Sequence, residues 1–163
     1  MSGNLYTSTV YGCWDALYDE LQCCDFGAHP ANPGGTIVHF GFPEDQVELG
    51  LENVVLIGGI QGYKQESWSF GEGRREETFD MLIVCTVGVP GASHLEVRDR
   101  LKQMSDAIEI AVRTSRAGSS RTSRPDVDGV DWWEVTNIAP LVTGDANGHI
   151  GRVELTVSVT SHI

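Results

Sequence analysis

Thr143, Asp145, Asn147, Gly148, His149 and Glu154 set oxygen-bearing side chains at near-alternate positions around a glycine, as a calcium loop does. The first position holds Thr rather than Asp, and alternating apolar residues on both sides predict strands rather than flanking helices. A hairpin turn at Asp145-Ala146-Asn147-Gly148 explains the same residues. Asp126, Asp128 and Asp131, around Gly129, read as solvated loop carboxylates. Cys23, Cys24 and His29 suggest zinc, but zinc needs four ligands in a tetrahedron, and adjacent helical residues point about 100° apart. No Gly-x-Ser-x-Gly occurs. Gly58-Gly59 and Gly71/Gly73 lack the Gly-Lys-Ser/Thr of a phosphate loop, and neither opens a helix. His39, inside an apolar strand pattern, reads as structural. The chain is therefore expected to hold no metal or cofactor and not to be an enzyme.

Two charged groups remain as candidate contacts. Arg113, Arg116, Arg121 and Arg124 gather four of the eleven basic residues in a Ser-rich setting. They either form a solvated linker whose first arginines complement a helix C-terminus, or meet a partner. Without interleaved aromatics, an acidic protein partner fits better than nucleic acid. Arg74-Arg75-Glu76-Glu77 stands where a polar, exposed loop bearing Trp68 enters a strand. Such a run either blunts a sheet edge or forms reciprocal ion pairs across a subunit contact. Trp68, Arg74, Arg75, Glu76, Glu77, Arg116, Arg121 and Arg124 are the candidate interface residues.

The elements that must hold these groups follow from periodicity. Val10, Trp14, Leu17, Leu21 and Cys24 recur at helical spacing over about Ser8–Cys24. Thr36–Phe40 predicts a short strand. Asn53–Ile57, apolar on both faces, predicts a strand inside a sheet, ended by Gly58-Gly59. Residues 61 to 75 predict a long exposed loop. Glu77–Val89 is the strongest strand, with Phe79, Met81, Ile83, Cys85 and Val87 on one face. Ser93–Arg116 is the clearest helix. Ser93 and Glu96 fit a capping box, and Val97, Leu101, Met104, Ile108 and Ala111 or Val112 form its buried stripe, with Arg98, Arg100, Lys102 and Arg113 off it. Leu101 and Ile108 should face Ile83 or Val157. Trp132–Val142 and the alternation of Val153, Leu155, Val157 and Val159 close the chain as a hairpin. The order α, β, β, β, α, β, β predicts an α+β fold: one mixed or antiparallel sheet with two helices on one face. A single domain over 1–163 is expected, with mobile loops near 59–75 and 117–129.

Composition agrees. The 163 residues are 40% hydrophobic and 21% charged, near globular averages. Nineteen glycines in 163 residues predict many turns and bulges, since about 7% is usual. The net charge of −12 disfavours nucleic acid and anionic lipid as general partners. No apolar run approaches the roughly 20 residues of a membrane span, and Met1–Asn4 does not resemble a secretory signal. The four cysteines read as reduced thiols of a cytosolic protein.

The order of motifs resembles the tail terminator proteins of long-tailed bacteriophages. An amphipathic helix leads to a stop at Gly41-Phe42-Pro43, then to the apolar strand Glu52-Asn53-Val54-Val55-Leu56-Ile57-Gly58. The Trp68 loop, Arg74-Arg75-Glu76-Glu77-Thr78-Phe79, the charged helix from Ser93 and a β-rich C-terminal region follow. The resemblance implies a structural virion protein. It would form a hexameric ring with itself, cap the tail tube protein, stop tube polymerisation and join a head-completion or connector protein. It implies a location at the tail end of the virion, at the head–tail interface, after assembly in the host cytoplasm. DNA would pass through the ring without specific binding, and no membrane is involved. The alternatives are a head-completion or neck connector protein and, from another class, a small cytosolic enzyme or ligand-binding domain.

Overall fold

The alternating and helical patterns fold as α1 (Val10–Cys23), β1 (Ile37–Phe40), β2 (Glu52–Ser67), β3 (Arg75–Val87), α2 (His94–Arg113), β4 (Arg116–Ala117), β5 (Ser120–Arg121), β6 (Val130–Asp145) and β7 (Gly148–His162). The computed structural model describes residues 7–44, 49–67, 75–114, 116–117, 120–121, 127–145 and 148–163. Five strands form one mixed sheet in the order β1-β2-β3-β7-β6, with β1 parallel to β2 and every other pair antiparallel. β4 and β5 form a separate small hairpin. This is the α+β sheet with two main helices that the motif order predicts.

The core lies between the helices and one face of the sheet. β3 turns Phe79, Met81, Ile83, Cys85 and Val87 to that side, and β7 matches them with Val159, Val157, Leu155 and Val153 in register. From α2, Val97, Leu101, Met104, Ile108 and Val112 come down on this surface; from α1, Val10, Cys13, Leu17 and Leu21 do. Fully burying one such aliphatic side chain is worth about 1.5–3 kcal/mol. α2 starts with the expected capping box: Glu96 N donates to Ser93 Oγ at 3.2 Å and Ser93 N to Glu96 Oε2 at 3.4 Å. The Asp145–Gly148 hairpin also forms, with those residues as its closing pair. Gly151 lets β7 pass close under α2, because a Cβ there would sit 2.7 Å from Leu101 Cδ1 and collide with Val97.

Three expectations are corrected. β2 does not stop at Gly58-Gly59; it runs on to Ser67, so residues 59–67 are strand rather than loop. Its register shifts between Leu56 and Ile60 and again between Gln61 and Lys64. The glycines therefore mark bulges that bend the strand, with Gly62 at φ +58°. Second, Arg100 is buried rather than lying on the solvent side of α2. Third, Asp131 is solvent-exposed as expected but belongs to β6 rather than to a loop, and it pairs with His162. Trp133 is fully buried and donates from Nε1 to Val112 O at 3.0 Å, pinning β6 to the end of α2, while Trp132 points to the other face of the sheet. No helix among the described residues is long and apolar enough to cross a membrane.

Candidate functional site

Beyond Leu56, β2 runs on past the end of β1 as an outer arm of the sheet, paired to β3, which β7 backs over the same stretch. Gln61–Glu66 are exposed on both of its faces, so the backbone ladder to β3 holds them rather than a core. Opposite the far end of this arm, β3 opens with the charged run singled out above. Its last member is not a surface charge. Glu77 is fully buried and accepts hydrogen bonds from Thr9 N at 2.9 Å, Thr9 Oγ1 at 2.8 Å and Tyr63 Oη at 2.7 Å, with Ser161 Oγ at 3.3 Å. The carboxylate thus joins the start of α1, the arm and β7. Burial pushes its pKa up, but the hydrogen bonds from Ser8, Thr9 and Tyr63 outweigh this and leave it below the usual carboxylate value. As an interface residue Glu77 is corrected to an internal lock.

Arg75 and Glu76 do face outward. Arg75 is exposed and donates from Nη1 to Gln65 Oε1 at 3.2 Å, while its backbone exchanges two hydrogen bonds with Ile163 at 2.8 and 2.9 Å. Half-buried Glu76 lies 3.5 Å from His162 Nε2, and the Nδ1 of the same ring meets Asp131. His162 therefore sits between two carboxylates from β3 and β6. Arg116 and Arg121 are backbone register partners in the β4–β5 hairpin. Trp68, Arg74 and Arg124 lie outside the described residues.

A second network, which sequence reasoning missed, fixes the segment between α1 and β1. Arg100 pairs through Nε with Glu52, and both side chains are buried. Its Nη1 donates to Phe26 O at 2.6 Å and Gln103 Oε1 at 2.9 Å, and its Nη2 to Gly27 O at 3.1 Å and Thr36 Oγ1 at 3.2 Å. Asn32 Nδ2 completes Glu52 at 2.7 Å. The only sequence signal was an acidic residue opening an otherwise apolar strand.

The groups weighed above for metal or nucleophilic chemistry have other employment. Glu154 pairs with Arg152 at 2.6 Å, Thr143 lies opposite Ile150 in the hairpin ladder, and His39 Nε2 meets Asn53 Oδ1 at 3.1 Å. Among the described residues, no three His, Cys, Asp or Glu side chains stand together as a metal site. All four cysteines are free. Burial pushes the thiols of Cys13, Cys24 and Cys85 up to about 12, so at neutral pH they are protonated and poor nucleophiles.

The remaining feature is the surface at the two sheet edges. At the β1 edge, Tyr11, Trp14, Phe40 and Tyr18 form a chain of edge-to-face rings, centroids 6.1, 5.7 and 5.4 Å apart; Tyr11 is 74% and Phe40 48% exposed. At the β6 edge, a groove of about 210 Å³ runs between α2 and the strand, over Leu101, Ser105, Ile138, Pro140 and Val142. Such surfaces suit recognition of another macromolecule.

No family model matches the chain, and no curated protein matches it. Among solved structures, the chain is similar to one from the "Virion of native gene transfer agent (GTA) particle", at a TM-score of 0.57 and 17% sequence identity. The match covers 96% of this chain and 100% of that one, so the two share their fold from end to end.

Proposed function

We propose that this chain is a structural protein of a phage-like particle that caps the tail tube as a ring, stops tube polymerisation and presents the surface that joins the head. The observation that carries the proposal is the fold likeness over 96% of the chain to a gene transfer agent virion chain. The motif order of tail terminator proteins supports the finer role. So does an architecture whose described polar networks lock a loop and join α1, β2, β3 and β7. Arg74, Arg75 and Glu76 contact a neighbouring subunit, and the arginines around Arg116–Arg124 meet an acidic protein partner. In dilute solution the chain is a monomer, and six copies assemble on the tube end.

Electron microscopy of tails carrying the protein tests this. A six-fold ring at the tube end is expected. Another rotational symmetry, or no density there, refutes capping; density at the neck beside the head identifies a connector instead.

A further inference from the structure

The outer part of β2 is held differently from the inner part. Asn53–Leu56 pairs with β1 on one side and β3 on the other, and is buried. Gln61–Ser67 pairs with β3 only, because the β1 ladder ends at Phe40 opposite Leu56. Ile60, packed against the core, is the last anchored residue before this arm. The register then shifts between Gln61 and Lys64, and Gly62 takes φ +58° there, a conformation that favours glycine. Further out, Glu66 stands opposite Glu76, a like-charge pair that weakens the ladder; Lys64 beside Glu66 offsets part of this. Two described side-chain hydrogen bonds tie the arm to β3: Tyr63 Oη to Glu77 Oε2 at 2.7 Å, and the exposed Arg75 Nη1 to Gln65 Oε1 at 3.2 Å.

Glu77 divides its two oxygens between the arm and the body. Oε2 accepts from Tyr63, whereas Oε1 accepts from Thr9 N, Thr9 Oγ1 and Ser161 Oγ. β3 also has support that does not involve the arm: β7 pairs with it from Glu76 to Val87, and Arg75 exchanges two backbone hydrogen bonds with Ile163. Lifting the arm would therefore leave β3 and the start of α1 in place. We infer that residues 61–67 are a strap that opens and closes on β3 independently of the rest of the sheet, hinged at the Gly62 bulge and latched by Tyr63 on Glu77. A segment with few buried contacts and solvent-exposed backbone hydrogen bonds opens at a free energy well below that of global unfolding. Opening uncovers Glu77 Oε2 and the edge of β3 over Arg75–Asp80 without disturbing the core. The inference does not depend on the capping role.

Native-state amide hydrogen exchange of the full chain, followed by NMR in low concentrations of urea, tests this. The amides of residues 61–67 that donate to β3 should exchange faster than those of Asn53–Leu56. Their rates should be nearly independent of urea, because local opening exposes little surface, while the Asn53–Leu56 rates climb with urea as global unfolding does. Two variants separate the latch from general destabilisation. Tyr63→Phe removes the latch and should speed exchange in the arm about tenfold. Leu101→Ala weakens the core and the closed and open forms alike; it should speed Asn53–Leu56 about thirtyfold or more and leave the arm rates unchanged. Arm amides that follow Asn53–Leu56 in urea or in Leu101→Ala would show that the arm opens only with the whole fold, which overturns the inference. Unaltered arm exchange in Tyr63→Phe would overturn the latch.

Discussion

Replacing Arg100 by Ala removes the hub of the buried network that holds the segment between α1 and β1. Glu52 would keep only the Asn32 amide, and the carbonyls of Phe26 and Gly27 and the Thr36 hydroxyl would lose their shared donor. Removing one member of a buried pair leaves an uncompensated charge and costs about 3–5 kcal/mol. That is about a fifth or more of the total stability of about 5–15 kcal/mol usual for such a domain. At roughly 2–4 °C per kcal/mol for a chain of this size, the melting temperature should fall by about 6–20 °C. Urea denaturation followed by the fluorescence of buried Trp133 gives the free energy. The double variant Arg100→Met with Glu52→Leu removes both charges together and should be much milder than the single changes combined, though the stranded Asn32 amide keeps it below wild type. A single-variant cost under about 1 kcal/mol, or a double variant as damaging as the sum, would refute a buried charge pair at this site.

Other outcomes are equally specific. Leu101→Ala should cost about 2–5 kcal/mol in the same assay, since Leu101 is buried under the sheet-facing side of α2 and truncation leaves a cavity. Gly151→Ala should cost about 1–3 kcal/mol by overpacking against Val97 and Leu101, and an unchanged midpoint would mean that α2 sits higher over β7. The folded Glu77 carboxyl lies below its unfolded value, so its stabilisation is present above the unfolded pKa and lost as pH falls through the folded one. Melting curves against pH should therefore show an acid limb that is shallower in Glu77→Gln. Arg74→Glu with Arg75→Glu should leave the monomer's melting temperature unchanged yet abolish capping, and normal-length tails in infectious particles would rule out the proposed subunit contact.

What the sequence disclosed is what is local. The capping box and stripe of α2, and the alternation of β3 and β7, depend on neighbours within a few residues and were readable to within a turn. Arg100 was not, because its partner Glu52 is 48 positions away and only the fold joins them. Glu77 looked like one of four surface charges because its ligands Thr9 and Ser161 lie 68 and 84 positions off. The outer arm was hidden for another reason. Residues 61–66 are exposed on both faces, so no hydrophobic period marks them, and the backbone ladder to β3, helped by the Tyr63–Glu77 and Gln65–Arg75 hydrogen bonds, makes them a strand. Along α1, Cys13 and not Trp14 lies deepest, since Trp14 turns aside to pack on Phe40. Among the candidate interface residues, Arg75 and Glu76 were legible as outward-facing charges, whereas the two edge surfaces emerge only when distant segments are laid side by side.

The strand order also sets when this protein can fold. β3, the middle of the sheet, has β2 on one side and β7 on the other, and Phe79 meets Val159 across 80 positions of sequence. On the ribosome the β2–β3 hairpin emerges first, with the apolar row of β3 uncovered and one long edge unpaired. That edge stays open until β7 has been made, several seconds later at about 5–20 residues per second. Contacts of such long range make closure slow relative to helix formation. A half-made chain therefore has neither a finished core nor a β6 edge, and only the completed sheet has both of its edges in place.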